Sequence, residues 1–184
     1  MPNHTHNQLR ISPPGIWDIF DGYCKHSERI DPKLKELLSS FSLEKVIPQP
    51  HNRENWNKEW YSWRCENWNT KWDAYEYAYW GDCSTNKDET IDLFKSHGRF
   101  STAWSPPIPV VKKIQEMFPE YEISLRYLDE GWHYIGELDH EGDDHCLSDD
   151  IKFVDMVDIA VDYDFIDSVE REEILKELEK ESVA

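Results

Sequence analysis

The chain has 184 residues, of which 39% are hydrophobic and 14% aromatic, and its formal net charge at pH 7 is −18. This length suits a single domain with a core of its own, and the aromatic content excludes an intrinsically disordered chain, which lacks the apolar surface to offset the entropy of ordering. The acidity disfavours direct binding to nucleic acids and to anionic membranes, because both depend on Lys and Arg.

The negative charge is concentrated near the C-terminus. Residues 129–184 carry 20 acidic and 4 basic side chains, whereas residues 1–128 carry 18 acidic and 16 basic ones. Such a segment either serves solubility or forms a surface matched to a basic partner, for example as a mimic of nucleic acid.

The cysteines and the apolar runs indicate the compartment. Cys24, Cys65, Cys83 and Cys146 are far apart and form no CxxC pair, which is typical of reduced thiols. No apolar run approaches the ~18 residues that a membrane span requires, and the first residues lack the pattern of a signal peptide. We therefore expect a cytoplasmic protein with no membrane segment.

The first part of the chain predicts a strand, two helices and a second strand. Leu9 and Ile11 alternate with polar residues in a strand over 8–11, and an apolar stripe predicts a helix over 16–25. Asp31 caps a second helix that Pro32 opens. Apolar residues alternate again over 41–47, which predicts a second strand.

The remaining elements follow from periodicity and from turn residues. Trp56, Trp60 and Trp63 keep helical spacing. After them, a strand over 74–80 precedes a polar loop over 81–89. The later elements are a strand over 99–104, a helix over 108–118, a hairpin with strands over 121–128 and 132–138, an acidic loop over 139–150, a strand over 153–161 and a helix over 168–181 capped by Asp167 or Ser168.

This order of elements predicts an α+β ferredoxin-like sandwich. Its sheet is mainly antiparallel with the helices on one face, and an acidic C-terminal strand and helix follow. We assign residues 1–138 to the ferredoxin-like domain and residues 139–184 to an acidic C-terminal extension packed on the same domain.

Three segments rich in Trp and Pro resemble one known family. They span residues 41–50, 60–75 and 100–110, and the similarity extends from residue 1 to about 138. The sequence is similar to the YubB-like ferredoxin-like domain proteins of plasmids and phages. Where that family has Gly, this chain has Asn69, which tolerates a left-handed backbone. The resemblance implies a ferredoxin-like fold and a mobile-element origin, and it implies no activity.

Polar residues among the tryptophans form a candidate ligand pocket. The set is Arg64, Asn67, Thr70, Lys71, Trp72 and Asp73. Lys71 and Asp73 would act as an acid/base pair if one of them were desolvated beside an indole. The same residue types also cap turns, cover Trp faces and form ion pairs, and this structural interpretation is favoured. We therefore assign no catalytic residue.

Two other kinds of site receive less support. The segment from Asp139 to Cys146 gathers side chains that can ligate metals, but its spacing is neither that of an EF-hand nor that of a zinc knuckle, so we assign no metal and no cofactor. Base stacking on the aromatic cluster is disfavoured by Glu66, Asp73 and Glu76 among the rings.

These observations predict a non-enzymatic protein-interaction module of mobile-element type that binds a basic host protein. One specific form is an acidic mimic of nucleic acid that inhibits a defence or DNA-processing protein. The alternative is a ligand-binding or catalytic domain that uses the candidate pocket. The predicted partner-binding residues are Asp139, Glu141, Asp143, Asp144, Asp149, Asp150, Asp155 and Asp158. The sequence indicates neither the partner's identity nor the oligomeric state.

Overall fold

The computed structural model describes residues 3–12, 31–50, 56–80, 96–148 and 151–183. The helix predicted over 16–25 and the loop predicted over 81–89 lie outside these residues. The strands are β1 (His4–Ser12), β2 (Tyr75–Trp80), β3 (Ser96–Ala103), β4 (Glu122–Asp129), β5 (Ile135–Leu138) and β6 (Asp144–Leu147), and the helices are α1 (Pro32–Ser39), α2 (Leu43–Val46), α3 (Trp56–Trp68), α4 (Ile108–Met117), α5 (Phe153–Asp162) and α6 (Ser168–Val183).

The six strands form one antiparallel sheet in the order β2-β3-β1-β4-β5-β6. The first four strands along the chain occupy the order β2-β3-β1-β4, which is the arrangement of two interleaved β-α-β units. The predicted α+β ferredoxin-like fold is therefore confirmed. The hairpin of β4 and β5 is also confirmed, and β6 extends the sheet beyond it.

The main core lies between one face of the sheet and helices α1 to α4. Leu9 and Ile11 of β1 point to this face because side chains alternate along a strand, and both are buried. Leu34 and Leu38 are one helical turn apart and bury one side of α1 against them. Trp68 at the end of α3 is fully buried, and its indole N–H donates to the Ile47 carbonyl at 3.0 Å.

The opposite face of the sheet is partly covered by α5. Met156 and Ala160 of α5 pack with Leu128 and Ile135, which are paired across β4 and β5. The predicted strand over 153–161 is thus wrong, because burial of one helical face outweighs the preference of Val and Ile for strands. The expectation that helices lie on one face holds for α1 to α4 and fails for α5.

The predicted acidic loop over 139–150 also contains a strand, β6, which pairs with β5. Gly136 permits this close pairing, because a Cβ atom there would lie 2.7 Å from the carbonyl oxygen of His145. The Tyr127 hydroxyl donates to Asp144 Oδ1 at 2.5 Å, and burial together with this carboxylate raises the pKa of Tyr127. These contacts fix a segment that its polar composition alone assigns to a loop.

Candidate functional site

The C-terminal elements present a dense set of exposed carboxylates, which we call the acidic surface. They come from the turn between β5 and β6, from β6, from α5, from the segment between α5 and α6, and from α6. The exposed members are Glu141, Asp143, Asp144, Asp155, Asp162, Asp164, Asp167, Glu170, Glu172, Glu173 and Glu177. Their side chains face solvent, although Asp144, Asp167, Glu170 and Glu172 also take part in contacts within the protein.

The predicted partner-binding residues divide into three groups. Glu141, Asp143, Asp144 and Asp155 are exposed and belong to the acidic surface. The two half-buried members, Asp139 and Asp158, accept hydrogen bonds within the protein. Asp149 and Asp150 lie outside the described residues.

Asp139 organises the turn between β5 and β6. Its Oδ1 accepts the backbone N–H groups of Glu141 and Asp143, each at 2.9 Å, and its Oδ2 lies 2.9 Å from His145 Nε2. The hydrogen bond with His145 lowers the pKa of Asp139, and the same bond raises the pKa of His145. Asp139 therefore shapes the acidic surface and is less free than its neighbours to meet a partner.

Helix α6 is held at its start and against α5. Asp167 Oδ1 accepts the backbone N–H of Glu170 at 2.8 Å, while Glu170 Oε2 accepts the backbone N–H of Asp167 at 2.9 Å, which is a reciprocal capping box. The predicted cap at Asp167 is thus confirmed. Arg171 Nε donates to Asp158 Oδ1 at 2.6 Å, so α5 and α6 are linked by an ion pair.

Three members of the candidate ligand pocket bond to the surrounding backbone. Asn67 Nδ2 donates to the carbonyl of Trp63 one turn earlier, at 2.8 Å. Thr70 is buried and exchanges two hydrogen bonds with the backbone of Ala103. Asp73 accepts the backbone N–H of Leu43 at 2.6 Å. The bonds of Thr70 and Asp73 join chain segments that are distant in sequence, whereas the bond of Asn67 lies within α3.

The other three members lie among aromatic rings. The Arg64 guanidinium is 5.1 Å from the ring centres of both Trp60 and Trp68, and its Nε donates to Gln49 Oε1. The Lys71 ammonium is 5.2 Å from the ring of Trp72 and 5.0 Å from that of Trp104. Trp72 and Trp104 are 36% and 40% exposed. The structure thus brings Lys71 and Trp72 together and places Asn67, Thr70 and Asp73 in contact with the fold around them.

Sequence analysis missed a cavity of about 390 Å³ on the face of the sheet that α5 partly covers. Ser101, His6 and Leu128 lie side by side across β3, β1 and β4 and line it. Phe165 and Ile166, which follow α5, also line it. These residues are far apart in the sequence. The order and register of the strands bring them together, and local sequence patterns predict neither.

Three carboxylates line this cavity, and Asp129 is the buried one. Asp129 is 1% exposed, and its Oδ2 lies 2.5 Å from His133 Nδ1 and accepts the Gly131 N–H at 3.0 Å. Glu76 and Glu130 are exposed. The cavity also contains Arg99, whose Nη2 donates to the carbonyl of Asp164 at 2.7 Å.

Three further observations concern the described residues only. No three His, Cys, Asp or Glu side chains among them are grouped so as to hold a metal ion. Cys65 and Cys146 are free thiols there, whereas Cys24 and Cys83 fall outside the described ranges. No helix in this part of the chain is long and apolar enough to cross a membrane.

Comparison with protein families supports the fold. Residues 67–156 match the family model described as a ferredoxin-like domain in Api92-like protein. The chain contains a ferredoxin-like domain. The matched region runs from the end of α3 to the first turn of α5 and includes the β4–β5–β6 segment. Neither a curated protein nor a solved structure matches the chain at a significant level.

Proposed function

We propose that this protein is a non-enzymatic interaction module that binds a basic protein through the acidic surface. The observation that carries the proposal is the excess of exposed carboxylates on α5, α6 and the β5–β6 turn. The basic residues of the same region are Lys152, Arg171, Lys176 and Lys180, and two of them already face carboxylates, Arg171 at Asp158 and Lys176 at Glu172. Most of the negative charge is therefore uncompensated within this region.

The acidic surface is well suited to electrostatic recognition because its supports are ordered. The capping box at Asp167 and the Arg171–Asp158 ion pair orient α6, and Asp139 orders the turn that carries Glu141 and Asp143. Charges held in fixed positions lose little conformational freedom when a partner binds. A strong field of one sign also accelerates encounter with a partner of opposite sign.

A more specific form of the proposal is mimicry of nucleic acid by a protein of mobile-element origin. Glu173 and Glu177 are four residues apart on α6, so a rise of 1.5 Å per residue separates them by about 6 Å along the helix axis. A series of carboxylates at this spacing resembles a series of backbone phosphates. In this form, the acidic surface occupies the nucleic-acid channel of a defence or DNA-processing protein.

The proposal is tested by charge neutralisation at two places in the chain. The test variant combines Glu141→Gln, Asp143→Asn, Glu173→Gln and Glu177→Gln, all on the acidic surface. The matched control combines Glu36→Gln, Glu59→Gln, Glu66→Gln and Glu120→Gln, which are exposed positions of the ferredoxin-like region. Each variant loses four negative charges, so they differ only in where the charge is removed.

Each protein is immobilised and exposed to a lysate of the host cells at about 50 mM and at about 500 mM salt. The retained proteins are identified by mass spectrometry. We expect the wild type and the control to retain a basic protein at the lower concentration and to release it at the higher one, because salt screens exposed charges. The test variant should retain much less. Equal retention by all three proteins, or retention of no basic protein, would overturn the proposal.

A further inference from the structure

The cavity on the sheet face has a floor that crosses three strands. Ser101 of β3 pairs with His6 of β1, and His6 pairs with Leu128 of β4. Since neighbouring strands are about 4.8 Å apart, this row extends about 10 Å across the sheet. A cavity of about 390 Å³ above such a floor is large enough for one amino-acid side chain or a small organic molecule.

One wall of the cavity is apolar and firmly held. Phe165 and Ile166 form it together with Leu128 and Trp132. The Phe165 N–H donates to the Ala160 carbonyl at 2.9 Å, which folds the chain back after α5. The Trp132 ring packs edge-on against Phe153 of α5 at 5.4 Å between ring centres. The wall is thus formed by residues of β4, of the β4–β5 turn and of the segment after α5, on the face of the sheet opposite α1 to α4.

Two carboxylates reach the cavity from different strands. Glu76 lies on β2 and Glu130 directly follows β4, with β3 and β1 between them. Glu76 adopts a left-handed backbone, with φ of 55°, at an irregularity in the β2–β3 pairing, and the Ser101 hydroxyl donates to it at 3.2 Å. A left-handed glutamate costs conformational energy, and strain of this kind persists only where the surrounding structure over-determines it.

Both carboxylates influence the same neighbouring phenol. Burial raises the pKa of Tyr75 most, and the negative charges of Glu76 and then Glu130 raise it further. Asp129 is occupied by His133 and Gly131, so Glu76 and Glu130 are the exposed acidic groups of the lining. Arg99 supplies the opposing charge, but it holds the Asp164 carbonyl and thereby the apolar wall.

We infer that the cavity receives a side chain that joins an apolar stem to a cationic head, namely a lysine or arginine of the partner. The stem would lie against Trp132 and Phe165, and the ammonium or guanidinium would meet Glu76 and Glu130. This inference rests on the proposed function and deepens it. The acidic surface attracts the basic partner over a distance, and the cavity fixes the position of one of its cationic residues. A free organic amine also joins an apolar stem to a cationic head, and titrations with n-butylamine and with capped amino acids distinguish such an amine from a side chain of the partner.

The inference is tested with capped amino acids as probes of the full chain. N-acetyl-arginine amide, N-acetyl-lysine amide and n-butylamine are titrated into ¹⁵N-labelled protein, with N-acetyl-citrulline amide as the neutral isostere of arginine. We expect saturable NMR shifts of the His6, Ser101 and Leu128 amides with dissociation constants on the order of 1 mM for the cationic probes. Citrulline amide should bind at least five-fold more weakly.

Tighter binding of the capped amino acids than of butylamine identifies a protein side chain as the source of the cationic group. The reverse order identifies a free amine and overturns the assignment to a partner residue.

Substitutions locate the binding within the cavity. Glu76→Gln and Glu130→Gln should each weaken the arginine probe about five-fold, because each removes one charged hydrogen-bond acceptor. Glu122→Gln, at the other end of β4 and also exposed, is the matched control and should leave binding unchanged. The inference is overturned if citrulline amide binds as well as arginine amide, or if all three variants bind the probe like the wild type.

Failure of this inference can be distinguished from failure of the proposed function. The four substitutions that neutralise the acidic surface leave every residue of the cavity intact. If the wild type captures a basic protein but binds no cationic probe, the proposed function stands and the cavity inference falls. If it binds the probe but captures no basic protein, the cavity is a cation site and the proposed function falls.

Discussion

Asp73 illustrates how a polar residue in a promising motif is used by the fold. Its carboxylate accepts the Ser42 hydroxyl at 2.7 Å, the Leu43 N–H at 2.6 Å and the Ala74 N–H at 2.7 Å. It therefore supplies the start of α2 with an acceptor from a segment 30 residues away. The alternating apolar residues over 41–47 form this short helix and not a strand. The sequence indicates that Asp73 is able to pair, but it does not identify donors so distant in the chain.

We predict that Asp73→Ala lowers the free energy of unfolding by about 2 kcal/mol, because it leaves three donors without their acceptor. Urea denaturation of the variant and of the wild type measures the difference. Glu66→Ala, at an exposed helical position, is the control and should change stability by less than about 0.5 kcal/mol. A similar small change for Asp73→Ala would show that these hydrogen bonds contribute little.

At the scale of elements, the segment after residue 138 departs most from the sequence-based expectation. A polar, acidic stretch contains β6, and an apolar stretch rich in Val and Ile forms α5. Short apolar runs do not distinguish a strand from a buried helix by periodicity, so packing against Leu128 and Ile135 decides. In β6, pairing with β5 and the Asp139–His145 contact compensate for side chains that are all exposed.

The β5–β6 hairpin should be most stable in mildly acidic solution. The pKa of His145 is raised above 6.5, so its contribution is fully present below pH 6.5 and is lost as the pH rises through the raised value. The pKa of Asp139 is lowered from 3.8, so its contribution is present above pH 3.8 and is lost as the pH falls through the lowered value. Both contributions are therefore complete between about pH 4 and 6.5.

Hydrogen-exchange protection factors of the β6 amides measure this dependence. In the wild type, we expect the protection factors of these amides to be higher at pH 5.5 than at pH 8. In His145→Gln, the protection factors at the two pH values should differ little. His140→Gln, at an exposed position in the same turn, is the control and should behave like the wild type. The prediction is contradicted if protection at pH 8 equals or exceeds that at pH 5.5.

At the scale of the whole molecule, exposed carboxylates are concentrated on the elements that follow residue 138. The net charge is −18, and the exposed carboxylates of the acidic surface lie on neighbouring elements. Repulsion between them opposes the compact state, and this cost is the physical reason to expect a basic partner.

Salt should therefore stabilise the free protein. We predict that the melting temperature rises by about 5 °C between 20 and 500 mM NaCl, because salt screens repulsion among exposed carboxylates. Differential scanning calorimetry measures the change. The variant neutralised at Glu141, Asp143, Glu173 and Glu177 should show a smaller rise than the control variant neutralised in the ferredoxin-like region. A melting temperature that falls with salt would contradict the prediction.

The sequence by itself determined the elements whose apolar period is clear and the position of the charge. It predicted β1, α4, the β4–β5 hairpin and the cap at Asp31, and it narrowed the cap of α6 to Asp167 or Ser168, because periodicity and capping depend on neighbouring residues. The left-handed backbone at Asn69, with φ of 62°, also agrees with expectation.

Only the tertiary structure decided that residues 153–162 form a helix, α5, and which residues line the cavity. Helix α5 depends on burial against β4 and β5, which no local pattern contains. The cavity combines His6, Glu76, Glu130 and Phe165, which are brought together by strand order and register. Long-range pairing of this kind depends on the whole set of contacts in the folded chain, and this is why the position of the charge was predictable from the sequence and the lining of the cavity was not.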